Sequence, residues 1–260
     1  NTFLSAEGIV QVKKSMSDFN IDATLVVIPA RGGSKRIPNK NVVEIFGQPM
    51  IYWPLMEVQK IFDRQNVLIS TDSDIIKDVV ERKGLNVPFL RPERLSDDIT
   101  GMAPVVEHAL NWYEENVKEV EYVLVVYPTA VLIREEDIRS AMKVLNDDMY
   151  CDSVMSAAHF AFPIQRAVFE NADGYAEMFE PQHYETRSQD LVEAKHDAGQ
   201  FTLSRSSALR NGALLTNSKV RLQLLHRNNV IDIDTPEDLE IAEEKLRMHK
   251  KLCVESTWTF

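Results

Sequence analysis

From Leu25 onward, short apolar runs alternate with helix-length stretches whose apolar residues recur every three or four positions. Strands are predicted at Leu25–Ile28, Val67–Ser70, Phe89–Leu90, Tyr122–Tyr127, Val154–Ala157, Phe201–Leu203 and Val230–Ile233. Helices are predicted at Met50–Ile61, Asp74–Arg82, Ala103–Tyr113, Glu135–Leu145 and Pro236–Met248. Strand followed by helix, repeated, requires crossover connections. The predicted class is therefore α/β, with a mainly parallel sheet covered by helices on both faces. Residues 160–197 break the rhythm: they are rich in aromatic and charged side chains, carry Pro163 and Pro181, and read as an insertion. The expected organisation is an N-terminal extension over 1–22, a domain over 23–250 containing that insertion, and a tail over 251–260.

Charge narrows the function. The 260 residues carry a net charge of −11, which argues against a general affinity for nucleic acid or an anionic membrane. Cys151 and Cys253 are far apart and lack metal-type spacing, so they suggest neither a disulfide framework nor a zinc site. No apolar stretch approaches the roughly 18 residues of a membrane span, and the first twenty residues do not read as a signal peptide. The expected setting is the cytoplasm.

Against this acidic background, "LVVIPARGGSKRIPNKN" (25–41) stands out. A buried strand ends and two glycines, a serine and four cationic side chains follow. In open α/β sheets, ligands bind beyond the carboxyl ends of strands. Gly32 and Gly33 permit backbone conformations that turn N–H groups toward an anion. Arg31, Lys35, Arg36 and Lys40 would add charge-assisted contacts, and Ser34 a further donor. The stretch matches neither GxxxxGK[ST] nor GxGxxG. The competing reading is a solvated basic loop.

A second constellation is Val230-Ile-Asp-Ile-Asp-Thr-Pro-Glu-Asp238. On a strand, Asp232 and Asp234 would point to the same face. Paired hard oxygen ligands suit Mg²⁺, which takes one or two carboxylates together with phosphate oxygens and water. Alternatively, Thr235 or Asp234 caps a helix that begins at Pro236.

The loop IPARGGSKRIPNKN resembles the signature of the acylneuraminate cytidylyltransferases (CMP-sialic acid synthetases). Supporting motifs follow in order: STDSD (70–74), FLRPERLSDD (89–98), YPTAVLIR (127–134), FPIQRA (162–167), TRSQD (186–190), HDAGQF (196–201) and DIDTPED (232–238). FPIQRA, TRSQD and HDAGQF are most similar to the pseudaminic acid branch. The resemblance implies a Rossmann-like nucleotidyltransferase fold with a dimerisation insertion. It implies CTP and a nine-carbon 2-keto sugar acid as substrates, Mg²⁺ as cofactor, and a homodimer. Nucleotide contacts are implied for Ala30, Arg31, Gly32, Gly33, Ser34, Lys35, Lys40 and Asn41, with Arg31, Lys40, Asp232 and Asp234 catalytic. Metal ligation is implied for Asp232 and Asp234, and sugar contacts for Tyr127, Thr129, Gln165, Arg166, Arg187, Asp197 and Gln200. Many relatives read LQPTSPLR where this chain reads VYPTAVLIR, so Tyr127 stands in place of a glutamine.

The chemistry expected from these parts is attack of the anomeric hydroxyl on the α-phosphate of CTP, with pyrophosphate leaving. Positioning and charge neutralisation carry most of such a reaction. Asp197 or a metal-bound hydroxide is the candidate general base, whereas His196 fits packing or hydrogen bonding better. Arg166 and Arg187 suit a sugar carboxylate but suit pairing with Glu170, Glu185 or Asp190 equally. Phe160, Phe162, Phe169 and Phe179 form an apolar load suited to a subunit interface. N-acetylneuraminic and legionaminic acids are the alternative sugars. A nucleotide-sugar-dependent glycosyltransferase and a silent nucleotide-binding module are the alternative functions.

Overall fold

The computed structural model describes residues 19–97, 99–212 and 217–255. Its central sheet is built from β1 (Thr24–Pro29), β4 (Val67–Ser70), β5 (Tyr122–Val126), β6 (Ser153–His159), β9 (Lys195–Arg205) and β10 (Val220–Leu224), in the order β10-β6-β9-β5-β1-β4. Two small hairpins stand apart, β2 (Glu44–Ile45) with β3 (Gln48–Pro49) and β7 (Val168–Glu170) with β8 (Ala176–Met178). The helices are α1 (Tyr52–Val58), α2 (Asp74–Glu81), α3 (Met102–Asn116), α4 (Glu135–Asp147), α5 (Ser206–Arg210) and α6 (Pro236–Glu255). Strand β1 runs parallel to β4 and β5, and β10 runs parallel to β6. Only β9 opposes its neighbours, pairing antiparallel with β5 and β6.

Period-two alternation of β1 explains why both faces are covered. Val26 and Ile28 pack on one face with residues of α1, α2 and α4, among them Leu55, Val80 and Ile138. Leu25 and Val27 pack on the other against Val106, Ala109, Leu110 and Tyr113 of α3. All six β1 residues are buried, as expected for a strand read as a continuous apolar run. A third cluster joins Ile37, Ile45, Met50, Ile233, Ala242 and Leu246, and ties α6 to the loop after β1. Among the described residues no helix is long and apolar enough to cross a membrane.

Several expectations need correction. Val230–Ile233 is not a strand; it is irregular backbone leading into α6. The outer sheet position belongs instead to Val220–Leu224, whose side chains remain largely exposed, so no continuous apolar run marks it. Phe89–Leu90 contributes only a single bridge, Thr71 to Leu90. Strand β9 begins at Lys195, so the last three residues of the expected insertion (160–197) belong to the sheet. Phe19, expected in the N-terminal extension, stacks on Tyr122 with ring centroids 4.3 Å apart, and Asn20 bonds Glu121. Helix α6 continues through the first five residues of the expected tail. Residues 1–18 and 256–260 lie outside the described ones.

Candidate active site

The chain leaves the sheet at Pro29, and Ala30 N–H still donates to Ser70 O at 2.9 Å, so the loop starts from a fixed point. Gly32 follows at a close approach. A Cβ there would lie 2.8 Å from the Cβ of Ser73, just before α2. Its N–H donates to Asp72 Oδ1 at 2.8 Å. Gly32 thus allows close packing against Ser73, and its N–H is held by the Asp72 carboxylate of its own chain. A Cβ on Gly33 would meet nothing, so no close approach requires glycine there. Ile37 is buried in the third cluster and pins the middle of the loop. Asn39 adopts φ 53°, a left-handed conformation that asparagine tolerates, and turns the chain into Lys40–Val42. Asn41 is 4% exposed, and its Nδ2 donates to Arg31 O at 2.9 Å, stapling the two ends of the loop.

A cavity of about 330 Å³ opens beyond the carboxyl ends of β1, β4 and β5. Arg31, Ser34, Lys40 and Asn41 form one wall, and Tyr127, Pro128 and Thr129 after β5 form a second. The third comes from residues between β4 and α3, including Arg91, Asp97, Thr100 and Gly101. Arg91 was not foreseen. It is 6% exposed and donates to Ser70 Oγ at 3.1 Å, to Ser70 O, and to Leu95 O at 3.4 Å. Burial lowers its pKa, with Asp72 opposing and the neighbouring Arg31 adding to the shift. Its available signal was its place between the apolar Phe89–Leu90 and a proline. Asp97 accepts N–H bonds from Thr100 at 2.6 Å and Ile99 at 3.0 Å, which hold its carboxyl below the usual range. Its carbonyl accepts from Arg31 Nη1 at 2.9 Å.

An adjoining cavity of about 210 Å³ shares Arg31, Ser34 and Lys40 and adds Lys35, Arg36 and Asp234. Lys40 Nζ lies 3.1 Å from Asp234 Oδ1 and donates to Ile233 O at 2.7 Å, while Arg36 Nη2 lies 2.6 Å from Asp234 Oδ2. Burial pushes Asp234 up, but Lys40 and Arg36 outweigh it and hold the carboxyl below its ordinary value. Asp234 is not the helix cap. Thr235 and Asp238 form that device: Thr235 N–H donates to Asp238 Oδ2 at 2.7 Å, and Asp238 N–H to Thr235 Oγ1 at 3.3 Å. Asp232 is raised, first by burial and then by the charge of Asp234, with Lys40 opposing. Its carboxylate accepts no hydrogen bond from the described residues. Two neighbouring carboxylates, one without a protein partner and raised by the other, fit a hard divalent cation. Among the described residues no cluster of three potential ligands occurs. Two carboxylates suit Mg²⁺, which draws its remaining ligands from phosphate and water.

The structure divides the expected sugar contacts. Tyr127 and Thr129 line the main cavity. Burial raises the Tyr127 hydroxyl, with Asp197 and Asp232 adding to the shift, so both carboxylates lie within its electrostatic reach. Asp197 accepts from Gly199 N–H at 2.8 Å, is exposed, and lines neither cavity. His196 donates Nδ1–H to Asp197 O at 2.7 Å and packs edge-on against Phe160, in line with a packing role. Gln200 is 1% exposed and gives its amide to Asn229 O. It is a buried strut, not part of either cavity wall. Gln165, Arg166 and Arg187 also lie outside both cavities. Gln165 bonds Val192 O at 2.9 Å, Arg166 bonds Thr186 O, and Arg187 pairs with Asp190 at 2.9 Å.

Comparison with known proteins agrees with this fold. The profile of the cytidylyltransferase family matches residues 25–244. The chain is 36% identical over 223 residues to a pseudaminic acid cytidylyltransferase of Campylobacter jejuni subsp. jejuni serotype O:2, covering 84% of this chain and 94% of that one. It is 26% identical to a CMP-N,N'-diacetyllegionaminic acid synthase of Legionella pneumophila, covering 88% and 99%. Among solved structures, a CMP:2-keto-3-deoxy-manno-octonic acid synthetase complexed with CTP shares the fold at a TM-score of 0.66 and 18% identity, covering 87% of this chain and 99% of that one. A Rossmann-like sheet, a cationic loop at its carboxyl edge and a profile match over nearly the whole described domain lead to one conclusion: the chain belongs to the cytidylyltransferase family.

Proposed function

We propose that this cytidylyltransferase activates a nine-carbon 2-keto sugar acid, pseudaminic acid first, by transferring CMP from CTP and releasing pyrophosphate. The observation that carries this reading is the meeting of Arg31, Ser34 and Lys40 with Asp234, from opposite ends of the chain, beside a cavity at the carboxyl edge of the sheet. The choice of sugar is supported by the 36% identity to a pseudaminic acid cytidylyltransferase, against 26% for the legionaminic acid relative.

In this reading the anomeric oxygen bonds to the α-phosphorus and the bond to the bridging oxygen breaks. The electron pair leaves with pyrophosphate, and the hydroxyl proton passes to a base, for which Asp197 is the candidate: it lies within electrostatic reach of Tyr127, though in neither cavity wall. Arg31, Lys35, Lys40 and the buried Arg91 offset charge on the triphosphate. Mg²⁺, held by Asp232 and Asp234, would supply further neutralisation of the phosphate oxygens when bound. The enzyme would act in the cytoplasm as a homodimer formed through the insertion. That assembly is supported by Phe162 and Tyr184, 82% and 76% exposed, together with Phe179 and Val192, an apolar load that one chain leaves uncovered. In such a dimer Gln165, Arg166 and Arg187 would reach the sugar carboxylate only across subunits, because neither cavity of their own chain contains them.

The test is pyrophosphate release on mixing the protein, CTP and Mg²⁺ with pseudaminic, legionaminic or N-acetylneuraminic acid in turn. The expected result is release with all three at unequal kcat/KM and pseudaminic acid highest. No release with any acid would overturn the reading, and a higher value for either other acid would reassign the sugar alone.

A further inference from the structure

The two aspartates sit on backbone that has neither helix nor strand geometry, yet a metal site must hold its ligands to within a fraction of an ångström. The chain before and after them is gripped at successive carbonyls and amides. Gln200 bonds the carbonyl of Asn229, Lys40 bonds that of Ile233 at 2.7 Å, and Asp238 accepts the N–H groups of Asp234 and Thr235 at 2.9 and 2.7 Å. One further grip comes from an unexpected residue. Lys245, on α6, donates Nζ to Val230 O at 2.6 Å and to Arg227 O at 3.3 Å.

Helix periodicity shows why this lysine is unusual. Ala242 and Leu246 are buried in the third cluster, and Lys245 lies three residues after the one and next to the other, on the inward side of α6. An inward lysine normally finds a carboxylate. Among the described residues Lys245 pairs with none; its half-buried ammonium goes to two backbone carbonyls. Charge-assisted bonds of this kind are about twice as strong as neutral ones, and these end two residues before Asp232.

We propose that Lys245 is a positioning residue: by clamping Val230 to α6 it fixes the backbone that presents Asp232 and Asp234 to the divalent cation. This rests on the assignment of those aspartates as metal ligands. Residues one layer behind metal ligands, when removed, typically weaken metal affinity by about 10–100-fold.

The experiment compares wild type, Lys245→Met, Lys245→Arg and Asp232→Asn, with Gln200→Met as a second route to the same loop if Lys245→Met does not fold. Mn²⁺ binding to the CTP-saturated protein is followed by electron paramagnetic resonance, CTP binding without metal by calorimetry, and unfolding by Tm. The expected result for Lys245→Met is Mn²⁺ affinity about tenfold weaker, metal-free CTP affinity unchanged within about twofold, and recovery in Lys245→Arg, whose guanidinium can still donate to the carbonyls. Unchanged Mn²⁺ affinity, or parallel loss of CTP affinity without recovery in Lys245→Arg, would overturn the proposal. Asp232→Asn separates the two layers. If it binds Mn²⁺ as wild type does, the metal assignment fails first, whatever Lys245 does.

Discussion

The loop after β1 and the insertion between β6 and β9 both carry cationic side chains, but they use them differently. In the loop, Lys40 reaches a carboxylate 194 residues away, and Arg36 meets the same group. In the insertion, Arg187 pairs with Asp190 three residues on, and Glu193 pairs with Lys195 at the start of β9, two residues on. Long-range pairing holds the first set of charges in a cleft that the core has already shaped. Local pairing on an exposed arm leaves the second set as surface. The apolar residues reverse the pattern: Ile37 and Ile233 are buried beside the loop, whereas Phe162 and Tyr184 stand in solvent on the arm. Within one chain, then, the cleft gathers paired charges around a cavity, while the arm leaves its aromatic side chains exposed.

The sharpest test of that contrast is on the carboxylates. Asp232→Asn and Asp234→Asn should each lower turnover by about 100-fold or more, because a metal ion contributes several kcal/mol of charge stabilisation. Circular dichroism should show the fold retained. Turnover near the wild-type rate in both variants would leave Asp234 as a counter-ion for Lys40 and nothing more. Next in size is Arg31→Ala. Removing a charge-assisted contact of about 1.5–3 kcal/mol should weaken CTP by roughly 10- to 100-fold in calorimetric titration. Unchanged affinity would show that the cations of the cleft serve the fold alone.

On the arm the expected effects are smaller and of another kind. Phe162→Ser with Phe179→Ser should shift light scattering from dimer toward monomer at micromolar concentration while Tm changes little. A monomeric wild type would show that the arm covers some other surface. Smallest of all, Arg187→Ala should change the unfolding free energy by less than about 1 kcal/mol in urea, since exposed ion pairs contribute 0.2–1 kcal/mol at most. A larger loss would mean that the arm is held by its charges after all.

What the sequence determined by itself was local. The apolar runs at Leu25–Ile28, Val67–Ser70 and Tyr122–Tyr127 each became a strand, because burial of a continuous run on both faces needs only neighbours of the same kind. The loop at 31–41 was legible as a candidate anion site because charge and glycine followed a strand end, and several of its residues line the cavity. Tertiary structure decided the rest. Ile231 and Ile233 alternate with Asp232 and Asp234 as a strand would, but no strand lies beside them to complete a ladder, and Ile233 is buried instead against Ala242 and Leu246 of α6. The antiparallel sense of β9 depends on where the insertion returns the chain to the sheet, which no pattern within the strand encodes. Gly32 was read for the backbone freedom it gives its N–H, and its close approach to Ser73 could not be seen in the sequence. Arg91 and Lys245 were not singled out from the sequence because their partners, Ser70 and the carbonyls of Arg227 and Val230, are brought to them only by the fold. Periodicity is set by the nearest few residues along the chain. The partner of a charge is set by whichever distant segment packs beside it, and that is fixed only when the core forms.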